Sequence, residues 1–331
     1  MKTQAPLRLV RTLAAVFSAC LFGFSAGAQA AAGDYPQSPV KVIVPYAAGG
    51  GTDLVARLIT AKLSDKLNQR MIVDNRPGGG GSLGTELVVR SPNDGYTLLF
   101  HSGTLAIDPS FKKNLPYDVR KDLIPISLAV SGPFFLVGSP ALPAKTTAEL
   151  IAYARANPKK INFGSPGIGS SVHLAGELFK SMTGIDIVHV PYKGAAPALA
   201  GLMANDIQIM FDLISTSKPL AESGKIKLIG VGKIGRSADV PTLPSIDESG
   251  LPGYESAVWM GLLAPAGTPR QIVDKLAVSI KAVLEMPDVK AALRVQGLDT
   301  VGSTPDEFSK FLARDIERYA KVIRDAKIEA E

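Results

Sequence analysis

Two glycine-rich stretches carry the residue types that suit anion binding. The first is Val42-Ile43-Val44-Pro45-Tyr46-Ala47-Ala48-Gly49-Gly50-Gly51-Thr52-Asp53, which reads as a buried strand, a glycine turn and a helix start. Its β-branched run suits a covered strand of a parallel sheet. The glycines let the backbone turn tightly and leave no side chain between it and a ligand. Thr52 is placed to cap the helix, and Asp53 to sit favourably in its first turn. Free N–H groups at such a turn bind an anion without any basic side chain. The second stretch, Ile161-Asn162-Phe163-Gly164-Ser165-Pro166-Gly167-Ile168-Gly169-Ser170-Ser171, repeats the pattern. If the two units lie in different domains, their helix N-termini can face each other across a cleft, an arrangement that suits a small carboxylate or oxyanion.

Other chemistry-bearing residues are scattered. Tyr192-Lys193-Gly194 follows a strand ending at Val190, where Lys193 is either an anion contact or a solvated lysine. Asp212 ends the apolar strand Ile207 to Phe211 and is either a ligand contact, a buried cap or a salt-bridge partner. Of the three histidines, His173 is read as ordering the second glycine loop or packing on its helix, while His101 is open between packing and function. Enzyme patterns match by letter only. Gly79 to Gly84 fits G-x-G-x-x-G, but the next strand begins only about a dozen residues on, too soon for a crossover helix and its acidic partner. The same run fits G-x-S-x-G around Ser82, yet no histidine has a clear supporting acid. A serine hydrolase with Ser82 or Ser170 as nucleophile is therefore a minor alternative. No glycine run is followed by Gly-Lys-Ser/Thr, and the histidines lack metal-ligand spacing. The reading assigns no catalytic residue, no metal and no cofactor.

These loops need a scaffold, and the chain supplies alternating strands and helices. The opening strand leads to a helix over about Thr52 to Leu67, with Leu54, Leu58, Ala61 and Leu67 expected near one face. Met71 to Asp74 is a strand, Leu83 to Arg90 a short helix, and Tyr96 to Phe100 another strand. This β-α-β-α-β order calls for a parallel sheet covered on both faces. Pro125 to Val130 and Phe134 to Gly138 are extended, split by Ser131-Gly132-Pro133, where a domain crossing is placed. Thr146-Thr147-Ala148-Glu149 is a capping box. Further strands are expected at Ile161 to Gly164, Ile185 to Val190, Ile207 to Phe211 and Lys227 to Gly232, and a return strand over Tyr254 to Ala264. Two closing helices open at Thr268-Pro269 and Thr304-Pro305. Their apolar stripes are Ile272, Val273, Leu276, Ile280, Val283, Leu284 and Phe308, Phe311, Leu312, Ile316, Tyr319, Ile323.

Composition bounds the class. The chain has 331 residues, 46% hydrophobic and 20% charged, which is ordinary for a globular protein and long enough for two domains. Lys2, Arg8 and Arg11 precede an apolar run from Leu13 to Phe24, too short to span a bilayer, and then Ala28-Gln29-Ala30. This is the layout of a secretory signal peptide cut near Ala30. The three basic residues supply half of the formal net charge of +6, and no later charge run points to nucleic acid. Cys20 is the one cysteine and lies inside the leader, in a stretch loosely like a lipidation box.

Together these pieces resemble the tripartite tricarboxylate transporter substrate-receptor family, the Bug receptors. The resemblance rests on Tyr35-Pro36, on Val44 to Asp53, on Asp74-Asn75-Arg76-Pro77-Gly78 and on Pro92-Asn93-Asp94-Gly95-Tyr96-Thr97-Leu98. It continues through Glu149 to Ala154, Gly164-Ser165 to His173-Leu174, His189-Val190-Pro191-Tyr192-Lys193-Gly194, Pro241-Thr242, Gly250 to Glu255 and Trp259 to Pro269. Asn205-Asp206 and Pro166 depart from the usual pattern. The resemblance implies a two-domain α/β periplasmic binding protein of the type II, flytrap architecture, with the chain crossing between domains. The expected division is residues 1–30 as signal, 31–131 with 254–331 as the first domain, and 132–253 as the second. It implies a monomeric periplasmic receptor that captures a small carboxylate, such as a di- or tricarboxylate, an amino acid or an aromatic acid, for membrane transport subunits. A sensing receptor is the alternative role. The family's loop contacts carry over to Tyr46, Ala48, Gly49, Thr52 and Asp53, and to Ser165, Gly167, Gly169, Ser170 and Ser171. Lys193 and Asp212 complete the expected ligand set.

Overall fold

The computed structural model describes residues 35–329. The expected signal peptide, its cleavage point and Cys20 lie outside the described residues.

The chain builds a six-stranded and a five-stranded sheet. In the first, β1 (Val40–Val44) pairs in parallel with β2 (Met71–Asn75) and β3 (Thr97–Ser102). The helices between them are α1 (Gly51–Leu67) and α2 (Ser82–Val89). Parallel neighbours need such crossovers, so the expected β-α-β-α-β order is borne out. After β3 comes α3 (Thr104–Phe111), a helix with Pro109 inside it. The long strand β4 (Leu123–Pro133) and the return strand β10 (Ala257–Pro265) complete the sheet antiparallel, with a short edge strand β11 (Asp299–Thr300).

The second sheet runs β7-β6-β8-β5-β9: β5 (Phe135–Gly138), β6 (Asn162–Ser165), β7 (Val188–Pro191), β8 (Ile209–Asp212) and β9 (Lys227–Val231). Its helices are α4 (Thr147–Ala156), α5 (Ser171–Thr183), α6 (Ala195–Ala204) and α7 (Ile214–Glu222). Strand β4 runs unbroken through Ser131-Gly132-Pro133, so the chain changes sheet at Phe134 rather than in a turn. It returns from β9 to β10. The C-terminal helices are α8 (Arg270–Leu284), α9 (Pro287–Val295) and α10 (Pro305–Asp325).

Two sequence expectations are corrected. Helix α1 starts at Gly51 with Gly50 as its cap and no side-chain cap bond, so Thr52 lies in the first turn and does not cap. The buried face of α1 is Val55, Ile59 and Leu63, not the Leu54 stripe, and Leu54 is half exposed at 50%. The 4-residue spacing of Val55, Ile59 and Leu63 is the better signal for that face. The other stripes hold: all six apolar residues of α8 are buried, as are five of the six on α10, Phe311 being half-buried. Thr304 and Glu307 close a full capping box at the start of α10.

Each sheet has its own core. Val88, Leu99, Ile107, Trp259, Phe308 and Leu312 centre the first, and Phe163, Phe179, Phe211 and Tyr254 the second. Burying side chains of this size contributes roughly 1.5–3 kcal/mol each. Leu174, from α5 in the second sheet's layer, is buried in the first core against α3 and α10. Among the described residues, no helix is long and apolar enough to cross a membrane.

Candidate functional site: two loops joined by a short helix

The first loop, residues 45–50, leaves β1 and turns into α1. Ala47, Ala48, Gly49 and Gly50 are exposed, and Gly49 takes φ +82° with nothing within 4 Å of an added Cβ. What fixes the loop is Asp53, which is only 1% exposed. Its Oδ2 accepts from Gly49 N at 2.8 Å and Arg57 Nε at 2.9 Å, and its Oδ1 from Asn75 Nδ2 at 2.9 Å. Burial raises the Asp53 carboxyl, but the hydrogen bonds from Arg57, Gly49 and Asn75 outweigh it and hold the group below its ordinary range. The carboxylate is thus fully engaged inside the loop. Tyr46 anchors the other end: its hydroxyl meets Ser102 Oγ at 2.7 Å, Thr104 Oγ1 at 2.5 Å and His101 Nδ1 at 3.2 Å. Burial pushes that hydroxyl up to about 12, so it stays protonated.

With Gly49 N–H bound to Asp53 and Gly50 N–H directed at Ala47 O, the N–H groups of Ala48, Gly51, Thr52 and Asp53 find no acceptor within the described protein. Gly51, Thr52 and Asp53 are the orphan donors that a helix start leaves open, and Ala48 adds one from the loop.

The second loop, residues 166–170, leaves β6 and turns into α5. Ser170 caps α5 by accepting from His173 N at 3.2 Å and donates to Gly167 O at 2.8 Å. Ser165 is fully buried; its Oγ accepts from Gly167 N at 3.2 Å and lies 2.7 Å from His189 Nε2. Gly169 N donates to His173 Nδ1 at 3.2 Å. The N–H groups left without an acceptor are those of Ile168, Ser171 and Val172. Lys193 stands beside this loop, because Tyr192 N donates to Ser165 O at 2.9 Å and Gly194 N to Pro166 O at 3.1 Å. Lys193 is exposed and, among the described residues, forms no ion pair. Asp212, by contrast, accepts from two hydroxyls of α7, Thr216 Oγ1 at 2.5 Å and Ser217 Oγ at 2.7 Å, while the N-cap of that helix is Leu213.

Helix α3 ties the two loops together. Thr104 at its start touches Tyr46, and Phe111 at its end lies against Gly169. An added Cβ on Gly169 would come within 2.4 Å of the Phe111 ring, and Gly169 itself takes φ +74°. Eight helical residues span on the order of 10 Å, which sets the scale of the gap between the loops. Sequence reading did not find α3, Phe111 or the Tyr46 cluster. A helical spacing was present only in Ile107 and Phe111, four residues apart, and was masked by Pro109 and by the helix's short length.

The hydrolase candidates are otherwise occupied. Ser82 Oγ donates to Gly79 O at 2.6 Å, and Ser170 is the α5 cap. Among the described residues, no group of His, Cys, Asp and Glu is placed to hold a metal ion.

Known proteins are similar to this chain in sequence and fold. The model of the tripartite tricarboxylate transporter family receptor matches residues 55–328. Protein BugT of Bordetella pertussis is 36% identical over 304 residues, covering 90% of this chain and 92% of its own. The solved structure of R. palustris Rpa4515 with adipate is 36% identical with a TM-score of 0.78, over 90% of this chain and all of that one (100%). MatC from Rhodopseudomonas palustris, with bound malate, is 32% identical with a TM-score of 0.74, over 87% of this chain and 100% of its own. The two-sheet α/β fold is accordingly that of the periplasmic binding proteins, and the chain belongs to the tripartite tricarboxylate transporter receptor family.

Proposed function

We propose that the chain is a periplasmic receptor that captures one small carboxylate between the β1–α1 and β6–α5 loops and presents it to membrane transport subunits. The observation that carries this reading is the set of unpartnered N–H groups on two helix starts: Ala48, Gly51, Thr52 and Asp53, and Ile168, Ser171 and Val172. Oriented backbone donors at helix N-termini favour an anion even without a basic side chain. The relatives with adipate and malate indicate carboxylates as the anion class. In this reading Lys193 meets the ligand's outer end, while Tyr46, Gly49, Asp53, Ser165, Gly167, Gly169 and Ser170 hold the loops in shape. The leader ending near Ala30 directs export, and the mature chain acts as a monomer. Residues 31–131 with 254–331 form one lobe and 132–253 the other, closing on the ligand and excluding water, which strengthens every polar contact inside.

A thermal-shift panel of mono-, di- and tricarboxylates on the leaderless protein tests this. A bound ligand at a hundredfold excess over its Kd stabilises by about 2.7 kcal/mol. No shift with any carboxylate, on protein that unfolds cooperatively, would overturn the reading.

A further inference from the structure

We infer that His173 and His189 are positioning residues for the ligand loop: two stacked neutral imidazoles that hold the β6–α5 loop with its outer N–H groups turned to the ligand. The inference rests on the carboxylate-receptor reading of that loop. The rings stack at 3.9 Å between centroids, and Phe163 stacks on His189 at 4.8 Å. Each ring turns one nitrogen toward the loop. His173 Nδ1 takes the Gly169 N–H, so its proton resides on Nε2. Gly167 O already accepts from Ser170 Oγ at 2.8 Å and Ser170 N at 3.3 Å. The Ser165 hydroxyl has two acceptors in reach, Gly167 O at 3.0 Å and His189 Nε2 at 2.7 Å; because Ser170 already fills Gly167 O, we assign the hydroxyl to the nearer His189 Nε2 and the His189 proton to Nδ1. The pair thereby takes Gly169 N–H, and through Ser165 Gly167 N–H, out of the donor set. Ile168, Ser171 and Val172 remain as the outward donors.

The surroundings keep the rings uncharged. Glu177 and Lys180 face them from α5, and a cavity of about 420 Å³ beside them is walled by Ile168, Glu177 and the C-terminal Ala326, Ile328 and Glu329. Burial, with the neighbouring His189 and Lys180, lowers His173 to about 3, and burial with Lys180 lowers His189 to about 4. Glu177 is held above its ordinary range by burial and, 3.7 Å from His173 Nε2, does not charge the ring.

The test compares three variants of the leaderless protein by calorimetric titration with adipate and malate. His173→Phe keeps the stack but removes the acceptor, and should weaken binding roughly tenfold. His173→Asn places an oxygen where Nδ1 sits and should recover binding to within roughly threefold of the parent. His173→Gln, whose acceptor reaches only the Nε2 position, should not. Parent affinity should stay flat between pH 8 and 5.5, whereas an imidazolium contact would tighten it on acidification. Imidazole ¹⁵N shifts need no ligand and should show unprotonated Nδ1 in His173 and unprotonated Nε2 in His189 at pH 6. Equal binding by the parent and His173→Phe, or a doubly protonated ring at pH 6, overturns the inference. Absence of binding by the parent while the tautomers are as stated would instead count against the carboxylate reading.

Discussion

Asp53 illustrates how the loop residues divide between holding and binding. An acid in the first turn of a helix faces a choice between the dipole, solvent and a ligand. Here it is buried, and both oxygens are used up by Gly49, Arg57 and Asn75. Its effect on a ligand is indirect: it takes one N–H away from the anion face and leaves its neighbours free. Asp212 is engaged through one oxygen, Oδ2, which accepts from Thr216 and Ser217. Buried titratable groups also set the pH response. Burial lowers His101 and His189 to about 4 and His173 to about 3, from an ordinary 6.5. These rings take up protons more readily once unfolded, so their contribution is lost as pH falls below 6.5. Burial raises Asp108 from 3.8 to about 6, although Lys112 lowers it through an ion pair at 2.9 Å. That contribution has the opposite sign: it is present below 3.8 and lost as pH rises through 6. Three histidines outweigh the two raised carboxyls, Asp108 and Glu177, so stability should fall between pH 6.5 and 4. In Asp108→Asn the fall should be steeper, because one of the opposing groups is gone. Urea midpoints across that range check this, and a shallower slope in the variant would contradict it.

At the scale of elements, α3 is the part that makes a site of two loops. Its start meets Tyr46 and its end meets Gly169. Lys112, just beyond it, donates to Gly79 O at 2.7 Å and so holds the neighbouring glycine loop as well. Gly169→Ala adds a methyl into the Phe111 ring at a positive φ and should cost about 1–3 kcal/mol. Combined with Phe111→Ala, part of that cost should vanish, because the clash is removed and only the backbone strain stays. A double-mutant cycle of unfolding midpoints reads this; strictly additive losses would show that the contact does not couple the elements. Much of this scale was legible in the sequence. The two glycine turns, the Thr304 capping box and the α8 and α10 stripes are local signals, and the chain obeys them. Helix α3 was not legible, because eight residues with an internal proline give too little periodicity. The α1 face was misread because a leucine count outvoted the Val55, Ile59 and Leu63 spacing. The partners of Tyr46 and Asp53 lie far off in sequence, at residues 75 and 101–104, and no local pattern encodes them.

For the whole molecule, the long β4 and β10 strands carry the chain from one sheet to the other, and α5 and α10 pack across the two layers through Leu174. In the proposed receptor role, the two lobes close about these strand crossings with the loop donors at the closing edge. The central claim is that oriented backbone N–H groups, with Lys193 at the rim, select a carboxylate. It is tested most directly by calorimetric titration of the leaderless protein with adipate and malate, each against its diamide. A carboxylate should bind saturably at one site per chain, and its diamide at least tenfold more weakly. Equal affinity for acid and amide, or no binding of any carboxylate by folded protein, would contradict the account.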